Sequence, residues 1–262
     1  MTFTLQKGTA PMLVSMPHIG TDIPLELQGS FVPRALDVED TDWHLARLYD
    51  FLPALGVSVL QPRISRYVID LNRPPDDTPM YPGAANTELC PTHFFSGDAL
   101  YKPDQKPSPQ EVKRRREMYW QSYHDALAAE LARIKAIHGF ALLWDAHSIR
   151  SEVPWLFDGK LPDLNIGTAS GAAAATVISD AATWQVGAFT HVTNGRFKGG
   201  YITRHYGQPA QHVHALQLEK CQSLYMQETP PFAFDEMLAK QLQPTLKRMV
   251  EASLQAVKAL YD

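Results

Sequence analysis

Apolar residues in this chain fall into short unbroken runs that alternate with longer stretches of helical spacing. Residues 11–16 (PMLVSM) are such a run, stopped by Pro17, and predict a buried strand. Residues 57–60 and 67–71 predict a second and a third strand. Between the first strand and these, residues 42–52 have helical spacing, with Thr41 as N-cap. Ser108 opens a further helix. In SPQE, Pro109 takes the first turn and Glu111 the capping-box position, and the pattern continues to His138, where Gly139 ends it. Residues 140–144 (FALLW) are the clearest buried strand and lead into Asp145-Ala146-His147. The Ala-rich residues 170–183 predict a helix, 189–192 a weaker strand, 199–205 a short helix after two glycines, and 213–219 a strand. Residues 234–261 form a long amphipathic closing helix that Pro244 kinks or splits.

Helices set between apolar strands imply an α/β fold: a mixed, largely parallel sheet flanked by helices. No repeat or linker divides the chain, so one domain over residues 1–262 is expected. The exception to the rhythm is 72–109, which contains PPDDTPMYPG and KPDQKPSP and is too long for a simple connector. It reads as a Pro-rich functional loop or lid.

Ligands of open α/β sheets gather beyond the carboxyl ends of strands. Two predicted strands run into a histidine and an aspartate there: His18 and Asp22 in PHIGTD, and Asp145 and His147 in DAHS. Two neutral imidazoles and one carboxylate make up the three protein ligands of a catalytic zinc site. Asp22, four residues from His18 across a turn at Gly20, is the expected carboxylate ligand. Asp145 shares a strand face with His147 and is expected to orient it, although the two aspartates can exchange roles. Glu219, ending the strand VHALQLE, is placed to act as the base that such a centre needs.

The densest polar segment is GRFKGGYITRHYG, residues 195–207, with Arg196, Lys198, Tyr201, Arg204 and His205. On a helix starting near Gly200, Tyr201, Arg204 and His205 share one face, and the free N–H groups of its first turn favour an anion. Arg73 and Arg150 follow the ends of two predicted strands and offer planar guanidinium groups for carboxylates. So many basic groups around one proposed metal point to a small anionic substrate.

Composition narrows the picture. With 24 basic and 28 acidic residues the net charge is −4, and the one basic run, residues 113–116, lies within a helical pattern. No nucleic-acid partner is expected. No apolar stretch reaches the ~18 residues of a membrane span, and the first residues lack the layout of a signal peptide. A soluble, cytoplasmic protein with no membrane partner is the expectation. Cys90 and Cys221 have no metal spacing.

Five blocks, PHIGTDIP (17–24), DLNRPPDD (70–77), WDAHSIRSEVPWLFDGKLPDLNIGT (144–168), GRFKGGYITRHYG (195–207) and HALQLEKCQSLYM (214–226), together resemble the N-formylglutamate amidohydrolases. That resemblance implies a fold similar to the zinc carboxypeptidases and aspartoacylases, with a mixed sheet of about eight strands. It further implies His18, Asp22 and His147 as zinc ligands and Glu219 as base. Asn72-Arg73 resembles the Asn-Arg pair that holds a substrate carboxylate; Arg73, Arg150, Arg196 or Arg204 would hold the two substrate carboxylates, and one of these or His205 would be the oxyanion donor. Those relatives carry a Glu three residues after the first histidine, where this chain has Asp22 four residues on. The implied reaction is N-formyl-L-glutamate plus water giving formate and L-glutamate, the last step of one route of histidine degradation. Two other readings remain: a deacylase of another N-acyl amino acid or a γ-glutamyl peptide, and a non-catalytic protein that binds acidic amino acids.

Overall fold

The apolar runs pair into one seven-stranded sheet in a computed structural model that describes residues 2–80 and 86–262. In chain order the elements are β1 (Phe3–Gln6), β2 (Met12–Ser15), α1 (Leu25–Gln28), α2 (Leu45–Leu48), β3 (Ser58–Pro62), α3 (Pro109–Arg115) and α4 (Gln121–His138). There follow β4 (Ala141–Ile149), β5 (Leu164–Gly167), α5 (Thr176–Thr183), β6 (His191–Thr193), α6 (Tyr201–Tyr206), β7 (Val213–Cys221) and α7 (Glu236–Tyr261). The strand order is β1-β3-β2-β4-β7-β5-β6. The four pairings among β3, β2, β4 and β7 and between β5 and β6 are parallel; β1 and β5 run antiparallel to β3 and β7. The expected mixed, largely parallel α/β sheet is therefore present, with seven strands among the described residues.

The sheet has two unlike faces. Leu142, Trp144, Ala146, Leu216 and Leu218 point into a core shared with α5 and α7. Ala141, Leu143 and Ala215 point into the core on the α4 side. Because side chains alternate along a strand, Asp145 and His147 on β4, and Gln217 and Glu219 on β7, continue that second row. The parallel register sets Asp145 beside Gln217 and His147 beside Glu219. Polar chemistry thus begins where the apolar row ends, at the carboxyl ends of the central strands.

Several expected elements differ. Residues 67–71 are buried but turn rather than pair, because the unforeseen β1 occupies the free edge of β3. Only Leu45–Leu48 of residues 42–52 is α-helical. Thr41 Oγ1 donates back to Val38 O (2.7 Å) instead of capping a helix, which leaves Asp42 outside it. The strand expected at 140–144 extends to Ile149, β5 was not foreseen, and the helix expected from residue 170 starts at Thr176, after positive φ at Ala169, Ser170 and Gly171. Ser108 does cap α3, accepting from Glu111 N, and Gly139 closes α4 in the left-handed region. The Glu111 carboxylate pairs with Arg114 and Arg115 instead of reaching back to the cap. Of the Pro-rich segment expected as a lid, residues 81–85 lie outside the described residues; Arg73 and Asp77 tie its arms together through Thr87 and Leu89.

His124 of α4 fastens two site-bearing segments. Its Nε2 donates to Leu71 O (2.9 Å), its Nδ1 accepts from Tyr206 Oη (2.9 Å), and its ring stacks on Trp120. Burial holds its pKa down at about 3. A depressed histidine pKa contributes stability that is complete above the unfolded value of ~6.5 and is lost as pH falls from there towards the folded value. His124→Gln removes this titration, so between pH 6.5 and 4.5 its unfolding free energy should fall less steeply than that of the parent, by up to about 1.4 kcal/mol per pH unit. Denaturant melts of both proteins across that range measure the difference, and parallel slopes would exclude a neutral buried His124.

Candidate active site

The end of β2 delivers His18 and β4 delivers His147. Between them stands Asp42, carried by the irregular segment that replaces the expected helix. His147 Nδ1 lies 3.2 Å from His18 Nδ1 and 3.2 Å from Asp42 Oδ2, and His18 Nδ1 lies 3.7 Å from that same oxygen. All three residues are buried. The segment that holds Asp42 is tied down by backbone contacts: Asp42 N donates to His18 O (3.0 Å), Gln222 Nε2 to Thr41 O (2.9 Å) and Tyr225 Oη to Trp43 O (2.9 Å).

The outer nitrogen of each imidazole meets a buried carboxylate. His18 Nε2 donates to Asp70 Oδ1 (2.7 Å), and His147 Nε2 lies 3.1 Å from Asp145 Oδ2 and within hydrogen-bond reach of Asn72 Nδ2 (3.0 Å). The bond to Asp70 fixes the His18 proton on Nε2 and turns its Nδ1 lone pair inward, towards Nδ1 of His147. Two ring nitrogens and a carboxylate oxygen this close together call for a proton or a metal ion among them. Ligand atoms around a tetrahedral zinc with bonds of ~2.0–2.1 Å stand about 3.3 Å apart, close to the separations found. The donor set therefore fits a divalent metal.

The electrostatics agree. Burial alone would lower the proton affinity of His147, yet Asp145 and Asp42 outweigh it and raise the pKa to about 10. Burial likewise opposes ionisation of Asp42, and His147 and His18, when their inward nitrogens carry protons, overcome it through hydrogen bonds and charge, holding that carboxyl low. Positive charge is favoured at this point, whether as protons or as a metal ion. Glu219 is buried beside His147, and burial pushes its carboxyl up to about 7 against the opposing charges of His147, Lys220 and Arg66.

His18, Asp42, His147 and Glu219 line a cavity whose walls include Arg66, Asn72, Arg73 and Thr87 on one side and Arg196 and Phe197 on another. Arg66 Nη2 donates to Asp70 Oδ2 (2.8 Å), while Nη1 lies 3.7 Å from Asp42 Oδ1. Arg73 is braced by Thr87, with Nε to the carbonyl (2.9 Å) and Nη2 to the hydroxyl (2.6 Å).

Several candidates stand elsewhere. Asp22 is exposed and pairs with Arg63 (3.3 Å). Gly20 does not turn the chain back towards His18; it lets the backbone run flush against Arg63 and Ile64, where a Cβ would lie 2.3 Å from Ile64 O. Arg150 pairs with Asp40 (2.8 Å). Lys198 is exposed, and Arg204 donates to the carbonyls of Gly199 and Met80. Tyr201 and His205 stack on each other (4.8 Å), with Tyr201 against Trp120 and His124, so the shared face of α6 meets an aromatic cluster around the start of α4 and not the cavity. Nor is the start of α6 open to an anion: Asn72 Oδ1 accepts from Ile202 N (2.8 Å) and Asn72 O from Tyr201 N (3.4 Å).

Sequence reasoning missed Asp42, Arg66 and Asp70. Asp70 sits in the same DLNR run that supplied Asn72 and Arg73, and Asp42 in the acid-rich stretch EDTD. Both signals were present but lay on segments read as a strand and a helix.

Among the described residues, no helix is long and apolar enough to cross a membrane. A family profile for N-formylglutamate amidohydrolase matches residues 10–226. The N-formylglutamate deformylase of Pseudomonas putida is 49% identical over 254 residues, covering 96% of this chain and 95% of its own. That of Pseudomonas aeruginosa is 48% identical with the same coverage. The crystal structure of N-formylglutamate amidohydrolase from Ralstonia eutropha superposes with a TM-score of 0.82 at 23% identity, covering 98% of both chains, and attests the fold. The geometry of a buried two-histidine, one-carboxylate centre and this likeness over nearly the whole length agree: the chain is an amidohydrolase belonging to the N-formylglutamate amidohydrolase family.

Proposed function

We propose that this chain hydrolyses N-formyl-L-glutamate to formate and L-glutamate, with a divalent cation, zinc by its donor set, held by His18, Asp42 and His147. The observation that carries the reading is the buried convergence of those three ligand atoms, with Glu219 facing the same cavity from the neighbouring strand. Relatives named for that reaction support the substrate. When bound, such a cation polarises a carbonyl and makes water more acidic.

The chain's own residues then divide the work. Glu219, with its proton affinity raised by burial, takes a proton from the attacking water as the water oxygen bonds to the formyl carbon. It returns that proton to nitrogen as the C–N bond breaks and L-glutamate leaves as the amine. Arg66, buried beside Asp42 and lining the cavity, donates to the formyl oxygen as negative charge develops there. This role replaces the one expected of His205. Arg73 and Arg196 hold the substrate's carboxylates.

Formate release from N-formyl-L-glutamate by the purified protein should be abolished by a chelator and restored by zinc. Release that survives complete metal removal would sink the metal mechanism, and its absence with any divalent metal would sink the substrate. The two aspartates are separated by mutation. Asp42→Ala should lose bound metal and at least ~100-fold in kcat/KM, whereas Asp22→Ala should stay within about twofold of the parent. Equal losses in the two variants would return Asp22 to the ligand set. Glu219→Gln should keep its metal content while kcat falls by roughly 10²–10⁴; near-parental turnover would exclude Glu219 as the proton carrier.

A further inference from the structure

The resemblance gives Asn72 to the substrate as half of a carboxylate-holding Asn-Arg pair. Every polar group of Asn72 is instead engaged with the protein behind the metal ligands. Its backbone N donates to Asp70 Oδ1 (2.8 Å), the oxygen that receives His18 Nε2. Its Oδ1 accepts from Ile202 N (2.8 Å), and its carbonyl oxygen accepts from Tyr201 N and Arg73 Nη1. Its Nδ2 lies within hydrogen-bond reach of His147 Nε2 (3.0 Å) and donates to Asp145 Oδ2 (3.5 Å), so the amide touches both members of the Asp145–His147 pair. The side chain is 3% exposed.

The neighbouring backbone is shaped around this amide. A Cβ on Gly200 would lie 2.3 Å from Asn72 Nδ2 and 2.6 Å from Cγ and Oδ1. Gly200 has φ −81°, which any residue adopts, so glycine is needed there for room and not for conformation. Gly200 N is itself held by Gln217 Oε1 (2.7 Å), two residues before Glu219 on the same strand face. Little freedom is left for Asn72 to swing towards a ligand.

From this geometry we infer that Asn72 is a positioning residue of the metal centre, joining the Asp70–His18 and Asp145–His147 pairs to the start of α6, and that Arg73 takes a substrate carboxylate without it. The inference rests on the proposed metal site. Residues that orient metal-bound histidines typically affect metal affinity 10- to 100-fold, whereas a group that only holds substrate moves KM and leaves metal affinity alone.

The test uses the full chain, with zinc as the probe in chelator competition and N-formyl-L-glutamate for kinetics, on the parent, Asn72→Ala and Gly200→Ala. Gly200→Ala displaces the amide while keeping all its atoms, and it covers the case in which Asn72→Ala fails to fold. We expect both folded variants to bind zinc at least tenfold more weakly and to lose kcat, with KM changing less than about threefold. Parental zinc affinity in either folded variant overturns the inference, most directly if KM rises tenfold. Failure of the underlying metal reading is seen separately, as a parent protein that binds no zinc.

Discussion

Asp145 has no access to solvent, and an ionised carboxylate in that position is tolerable only when its oxygens are filled with donors. Four elements supply them. Ser15 of β2 donates to Oδ1 (3.2 Å); His147 of β4, Asn72 of the Pro-rich segment and Thr203 of α6 approach Oδ2 at 3.1, 3.5 and 3.4 Å. Ser15 is in turn hydrogen-bonded to Tyr123 of α4 (3.0 Å). Satisfying one buried charge therefore fixes how a strand, a loop and two helices meet at the carboxyl end of the sheet. The inward aim of His147 Nδ1, towards His18 and Asp42, is a consequence of that arrangement, since Asp145 and Asn72 occupy the side of the ring that carries Nε2.

The same need recurs around the site. Asp70 is filled by His18, Arg66 and the backbone of Asn72, and Asp40 by Tyr67, Arg150 and Phe95 N. On the opposite face of β7, Lys220 is buried; its ammonium donates to the His147 carbonyl and lies over the Tyr49 ring. Burial depresses its pKa to about 8. That cation sits directly behind the anionic floor of the cavity, within the apolar layer under α7, and offsets part of its charge.

His18, His147 and Glu219 were legible in the sequence because each ends, or nearly ends, an apolar run, and parallel strands bring such ends together whatever lies between them. Asp42 was not legible. Helical spacing across residues 42–52 was a sound local signal, but only one turn of it forms, and tertiary bonds from Gln222 and Tyr225 to the carbonyls beside Asp42 outweigh the rest. Asp22 was favoured for its closeness to His18 in sequence, yet four residues of extended chain carry a side chain away as readily as towards it. In the 195–207 segment, spacing correctly gave a helix with Tyr201 and His205 on one face. Which neighbour that face meets was decided by aromatic packing against Trp120 and His124, which no pattern within the segment reveals.

Charge changes sign along the cavity, and this bears on how one site can take both a cation and an anion. At the floor, Asp42, Asp70, Asp145 and Glu219 crowd around two imidazoles, with Arg66 and Lys220 as the buried counter-charges. Farther along the walls, Arg73 and Arg196 are only half-buried and the nearest apolar surfaces are Phe95, Leu156 and Phe197. A metal ion lowers the charge of the floor without altering the walls. In the proposed reaction the uncharged formyl amide then goes to the floor, where the basic carboxyl of Glu219 is found, and the carboxylates go to the arginines. Reversing the substrate would bring a carboxylate against four others and leave both arginines facing an amide. The orientation of a small, flexible dianion is thus set by the protein's charge distribution before any single hydrogen bond selects it.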